Sequence, residues 1–135
     1  MKLLIKKSLL AICFLSLSFS LQASSIDDRL VGSWQGQRSE EGKCSFIAWK
    51  MVRTADGKFK ISFYTDPEKK HFIGSEKGRW EAENGKFLVF TYGVPTPDIY
   101  TYKFIDDNSV KFSNIKRDPS ADCMADYEFI DNRSS

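Results

Sequence analysis

Apolar side chains recur at every second position in short runs rich in aromatic and β-branched residues, spaced about ten residues apart. Each of Pro67, Pro95, Pro97 and Pro119 falls between runs rather than within one. That alternation predicts an all-β domain, an antiparallel up-and-down meander of about eight strands. The segments read as strands are 29–38, 44–54, 58–65, 70–75, 77–83, 86–92, 98–106, 109–116 and 122–131. No segment carries a sustained helical period, and only residues 25–30 have the makings of a short helical turn.

Two turn signals set the expected register. Asp56-Gly57 and Asn84-Gly85 each fit a two-residue type I′ hairpin, which needs positive φ at both central residues. On that reading Ala55 opposes Lys58, Val52 opposes Ile61 and Lys50 opposes Phe63. One face then collects Phe46, Ala48, Val52, Phe59, Ile61 and Phe63, with Trp49, Met51, Arg53 and Tyr64 on its reverse. In the second hairpin Trp80, Ala82, Phe87 and Val89 share a face. Lys50 is therefore expected among apolar neighbours, where an unpaired ammonium is costly.

The N-terminus changes the picture of charge and of cysteine. Lys2, Lys6 and Lys7 precede an apolar stretch over residues 9–21, too short and too serine-rich to span a bilayer. This predicts an export leader of bacterial type, cleaved after Ala23, and a periplasmic or secreted destination. Leu10-Ala11-Ile12-Cys13 is a poor acylation box, because a small residue is wanted where Ile12 stands. Removing the first 23 of 135 residues leaves 112, one domain's worth of chain. The leader takes three of the 20 basic residues and none of the 18 acids, so the mature chain is one charge negative. Interspersed charge of that kind gives no footprint for nucleic acid and no polybasic run for a membrane face. Cys13 leaves with the leader, and the two remaining cysteines, Cys44 and Cys123, are expected to pair. Cys44 shares the parity of Phe46 and Ala48, and Cys123 that of Ala125, Tyr127 and Phe129, so both sulfurs are expected to point inward.

Leu30-Val31-Gly32-Ser33-Trp34 places a Gly-x-Trp at the start of the first strand, and Gly78-Arg79-Trp80 repeats it ahead of the Asn84-Gly85 hairpin. In a small exported antiparallel meander these residues resemble the lipocalin-like, or calycin-type, barrels. The resemblance spans roughly the whole mature chain. It implies a closed barrel in which Trp34 packs at one end beneath an arginine near the end of the last strand, for which Arg133 is the candidate. It also implies a lumen that either holds a small ligand or is filled by side chains.

Seventeen aromatics remain after Phe14 and Phe19 depart with the leader, enough to line a cavity or to fill one. Candidate ligand-binding residues are Lys50, Trp49, Phe63, Tyr64 and Trp80, with Lys50 as an anion receptor near the mouth. The stiff segment 93–98, flanked by Tyr92 and Tyr100 and carrying Pro95 and Pro97, is the candidate partner-binding edge. Lys116-Arg117-Asp118-Pro119 reads as an exposed connector without a role. His71 is the only histidine, which leaves no imidazole pair for catalysis or zinc. Asp106-Asp107-Asn108 lacks the oxygen spacing of a calcium loop and reads as a turn. No cofactor is expected. The sequence-level expectation is a non-enzymatic envelope protein that binds a small apolar or amphipathic molecule; the alternative is a protein-interaction module such as a periplasmic enzyme inhibitor or immunity protein.

Overall fold

The computed structural model describes residues 25–40, 44–121, 123 and 128–135. The expected leader, Cys13, Ala125 and Tyr127 lie outside these residues. Eight antiparallel strands follow one another around a closed barrel: β1 Gly32–Arg38, β2 Ile47–Arg53, β3 Lys58–Tyr64, β4 Phe72–Glu83, β5 Lys86–Thr91, β6 Asp98–Asp106, β7 Ser109–Lys116 and β8 Glu128–Arg133. Segments 70–75 and 77–83 are one strand, not two, because β4 runs through Glu76 and pairs with β3 on one side and β5 on the other. The barrel is sealed where Trp34 and Gln35 of β1 meet Arg133 and Asn132 of β8. Closure pairs the first strand with the last, while residues 72–76 of β4 pair with β3 alone.

Tight turns join the strands at one end, and longer loops at the other. The tight end is plugged by a short 3-10 turn, Asp28–Leu30, capped by the Asp27 side chain, which accepts from the Arg29 amide. Leu30 is fully buried, and its carbonyl accepts from the Trp34 indole at 2.9 Å and from the Arg53 guanidinium at 2.9 Å. Arg133 lies over the Trp34 ring at 4.2 Å and donates to the carbonyls of Val31 and Arg29. The plug is thereby tied to the first strand and the last.

The second hairpin adopts the expected register. Asn84 and Gly85 both have positive φ, and Ala82 opposes Phe87 while Trp80 opposes Val89. The first hairpin does not. Gly57 alone is left-handed, its N–H donates to the Thr54 carbonyl, and the Thr54 N–H donates to Lys58. Its loop is therefore three residues, 55–57, with Gly57 in the left-handed position of a bulged type I turn. One additional loop residue shifts the pairing by one and turns every β2 side chain over relative to β3. Met51 opposes Ile61, Trp49 opposes Phe63, and Lys50 opposes Ser62.

The interchange has a clear energetic sense. Trp49 and Met51 become buried, while Lys50 goes to water and Val52 is left 45% exposed. The inward cation of this register is Arg53, which has a carboxylate partner where Lys50 would have had none.

Cys44 and Cys123 are bonded, with Cα atoms 5.4 Å apart, and both are buried. Neither lies within a long strand as expected: Cys44 precedes β2 and Cys123 precedes β8. The bond joins the β1–β2 and β7–β8 loops at the open end of the barrel. Among the described residues no helix is long and apolar enough to cross a membrane.

Candidate functional site

The barrel is not filled. A cavity of about 510 Å³ runs from the open end down to a charged floor. Its wall is mostly apolar, supplied by inward positions of neighbouring strands: Trp49 and Met51 from β2, Phe59, Ile61 and Phe63 from β3, Val89 from β5, and Phe112 and Phe129 from β7 and β8, with Ser75 and Glu76 of β4 and Thr91 of β5 adding polar groups on one side. Edge-on contacts hold several of these rings, with Phe129 5.0 Å from Trp49 and 5.7 Å from Tyr100.

The floor is an ion pair sealed from water. Arg53 and Asp131 are each 1% exposed, and both Arg53 terminal nitrogens lie 3.3 Å from one carboxylate oxygen of Asp131. The Trp49 indole donates to the other oxygen at 2.9 Å. Every nitrogen of Arg53 has a partner, since its Nε donates to Leu30 and one terminal nitrogen also meets the Met51 sulfur at 3.1 Å. The guanidinium sits among the rings of Trp34, Phe87 and Phe112 at 5.2 to 5.5 Å. Burial pushes the Asp131 carboxyl up and the Arg53 guanidinium down, and their mutual attraction opposes both shifts. Gly36 makes the arrangement sterically feasible: a Cβ there would lie 2.6 Å from the Asp131 carboxylate and 2.8 Å from the Trp49 ring.

The mouth is polar and braced. Asp118 accepts from the Thr96 amide and hydroxyl and from the amide and hydroxyl of Ser120, and these bonds hold its carboxyl down at about 2. Its own N–H donates to Asp98, whose carboxyl burial pushes up. Arg117 donates to the Cys123 carbonyl and to Asn114. Arg38 reaches the Ser45 carbonyl from the opposite side. Loops 92–97 and 117–121 thus form one hydrogen-bonded rim beside the disulfide.

Of the residues singled out from sequence, Trp49 and Phe63 line the cavity. Trp80 is buried below it, near the tight end, with its indole donating to the Thr54 carbonyl. Lys50 and Tyr64 do not enter the lumen: the register shift turns Lys50 onto the outer wall that Tyr64 of β3 already faces, and the Lys50 ammonium lies 5.8 Å over the Tyr64 ring. Lys50 therefore cannot be an interior anion receptor. Tyr100 is only 8% exposed and faces the core, so the surface of the 93–98 loop is left to Tyr92 and Pro95. Arg117 and Asp118 are buried members of the rim rather than an exposed connector. His71 is exposed, and its amide is bound by the Asp66 side chain.

The floor pair escaped the sequence reading, yet a signal for half of it was present. Asp131 has the inward parity of Phe129 in the last strand. An acid at an inward position needs a buried cation, and that requirement favours the register that turns Arg53 inward.

Fold and site together define a closed eight-stranded antiparallel barrel with a mostly apolar lumen, a neutralised ionic floor and a polar mouth. No known family matches the chain, and none of the curated proteins is significantly similar to it.

Proposed function

We propose that the protein is a non-enzymatic binding protein that holds a small apolar or amphipathic molecule inside its barrel. The observation that carries this reading is the cavity itself. Its volume falls within the roughly 300–1,000 Å³ of ordinary small-molecule sites, which are likewise mostly apolar with a few placed polar groups. Apolar side chains from β2, β3, β5, β7 and β8 make up most of the wall, so the body of the ligand is hydrophobic, with Ser75, Glu76 and Thr91 able to meet a polar group on one side. The floor does not recruit a charged head, because Arg53 and Asp131 satisfy one another. A polar end is accommodated at the mouth, among Thr96, Asp98 and Ser120.

Native mass spectrometry and titration with an environment-sensitive hydrophobic dye test this on the mature, oxidised protein. A single saturable site is expected. Ile61→Trp, which fills the lumen from β3, weakens the dye by roughly tenfold or more, equivalent to about 1.4 kcal/mol, while circular dichroism stays that of the parent. Absence of any saturable uptake, or an Ile61→Trp variant that binds like the parent, refutes the reading.

A further inference from the structure

The β2–β5 side of the barrel carries a cationic field that no stretch of sequence displays, because the register assembles it across strands. Lys60 of β3 stands directly opposite Lys77 of β4, and Lys58 opposite Arg79. Lys50 lies one outward position above Val52, which opposes Lys60. All five cations are exposed. Asp56 lies 3.7 Å from Lys58, and Glu81 the same distance from Arg79. Among the described residues no acid reaches Lys50, Lys60 or Lys77. Like charges directly opposite in a sheet are destabilising, so the Lys60–Lys77 pair weakens the isolated fold.

The open end of the same wall is apolar. Phe72 and Ile73 begin β4 and are 60% and 56% exposed; Tyr92, just beyond β5, is 61% exposed. Tyr92 is anchored by its N–H to the Lys77 carbonyl, and Phe72 packs edge-on against Tyr64. Lys50 thus lies one outward row, and Lys60 and Lys77 two rows, below Phe72, each row roughly 7 Å along the strands, while Tyr92 stands level with Lys77.

We infer that this wall docks on an anionic phospholipid bilayer, with Phe72, Ile73 and Tyr92 entering the headgroup boundary and Lys50, Lys60 and Lys77 facing lipid phosphates. Aromatic side chains favour that boundary, and surface lysines are attracted by anionic headgroups. A second copy is a poor occupant, because an isologous contact would set these lysines against themselves. A soluble polyanion would use the lysines but would leave the apolar rim in water. Ile73 also borders the lumen, but Phe72, Tyr92 and the lysines do not, so on those residues the inference does not depend on what the lumen holds.

Co-sedimentation of the mature, oxidised protein with phosphatidylglycerol vesicles and with pure phosphatidylcholine vesicles tests it. Binding is expected to the anionic vesicles, falling as salt is raised. Each lysine is worth roughly fivefold in partitioning, so Lys60→Gln with Lys77→Gln weakens binding roughly 25-fold. That double variant keeps or raises its melting temperature, since it removes a repulsive pair. Phe72→Trp supplies a reporter of insertion: the three native tryptophans are buried, so a blue shift of the new emission on vesicle binding reads the rim alone. The inference is overturned if the parent fails to sediment with anionic vesicles, if the double glutamine variant binds like the parent, or if the Phe72→Trp emission does not move. Tight binding of inorganic polyphosphate without vesicle binding, or self-association of the parent in sedimentation velocity, overturns it equally.

Discussion

Removing the carboxylate from the barrel floor is the most exacting test of the structure, because it separates the strength of the Arg53–Asp131 pair from the cost of burying it. Asp131→Asn nearly preserves volume and leaves an oxygen to accept from the Trp49 indole, but it strands the Arg53 charge among three aromatic rings. An unpaired charge at a fully buried site costs about 3–5 kcal/mol, against a total stability of about 5–15 kcal/mol for a domain of this kind. Replacing both members, as Arg53→Met with Asp131→Leu, removes the desolvation penalty along with the attraction. The double variant is then expected near the parent in stability, or above it. Urea unfolding of the oxidised protein compares the parent with the two variants. With a slope of about 1–3 kcal/mol per molar urea, the asparagine variant loses roughly 2 M from its midpoint, and the double variant recovers most of that. An Asp131→Asn cost below about 1 kcal/mol would show that Arg53 finds water or another partner at the floor. A double variant as weak as Asp131→Asn would show that the pair contributes net stability beyond its desolvation cost, and would refute the argument.

The remaining predictions concern the two ends of the barrel. Cys44→Ser with Cys123→Ser opens a link across 79 residues of sequence, and the chain-entropy argument puts the loss at about 4 kcal/mol; thermal unfolding of the oxidised parent beside the double serine variant checks it, and equal melting temperatures would refute it. At the tight end, burial pushes the Tyr102 phenol up to about 12, helped by its hydrogen bond to Asp27 at 2.8 Å. A raised phenol pKa means that stability from this group is fully present below the ordinary value near 10 and is lost as pH rises from 10 through 12. Tyr102→Phe should remove that part of the alkaline decline; urea midpoints across this pH range check it, and parallel profiles for parent and variant would sink the assignment.

How far the architecture can be read from the chain depends on what each local signal leaves undetermined. Asn84-Gly85 admits positive φ at both residues, so the loop has one natural length and the Trp80, Ala82, Phe87 and Val89 face follows. Asp56-Gly57 is degenerate. The same dipeptide closes a two-residue loop when Asp is left-handed and a three-residue loop when only Gly is, and the two differ by one residue of register. Here the Thr54 hydroxyl, bonded to the Asp56 carboxylate and the Lys58 carbonyl, supports the longer loop. The deciding term lies 78 residues away in sequence, because only Asp131 makes an inward Arg53 tolerable. The site inherits that dependence: the lumen wall is Trp49 and Met51 rather than Ala48 and Val52 because β8 brings a carboxylate to the floor. The outer cationic wall is the other side of the same choice, since the shift that turns Arg53 inward also places Lys50 in the face that Lys60 and Lys77 share. A substitution at Asp131 that lets the first hairpin slip should therefore disturb lumen and outer wall together, through β2, the one strand they share with the floor.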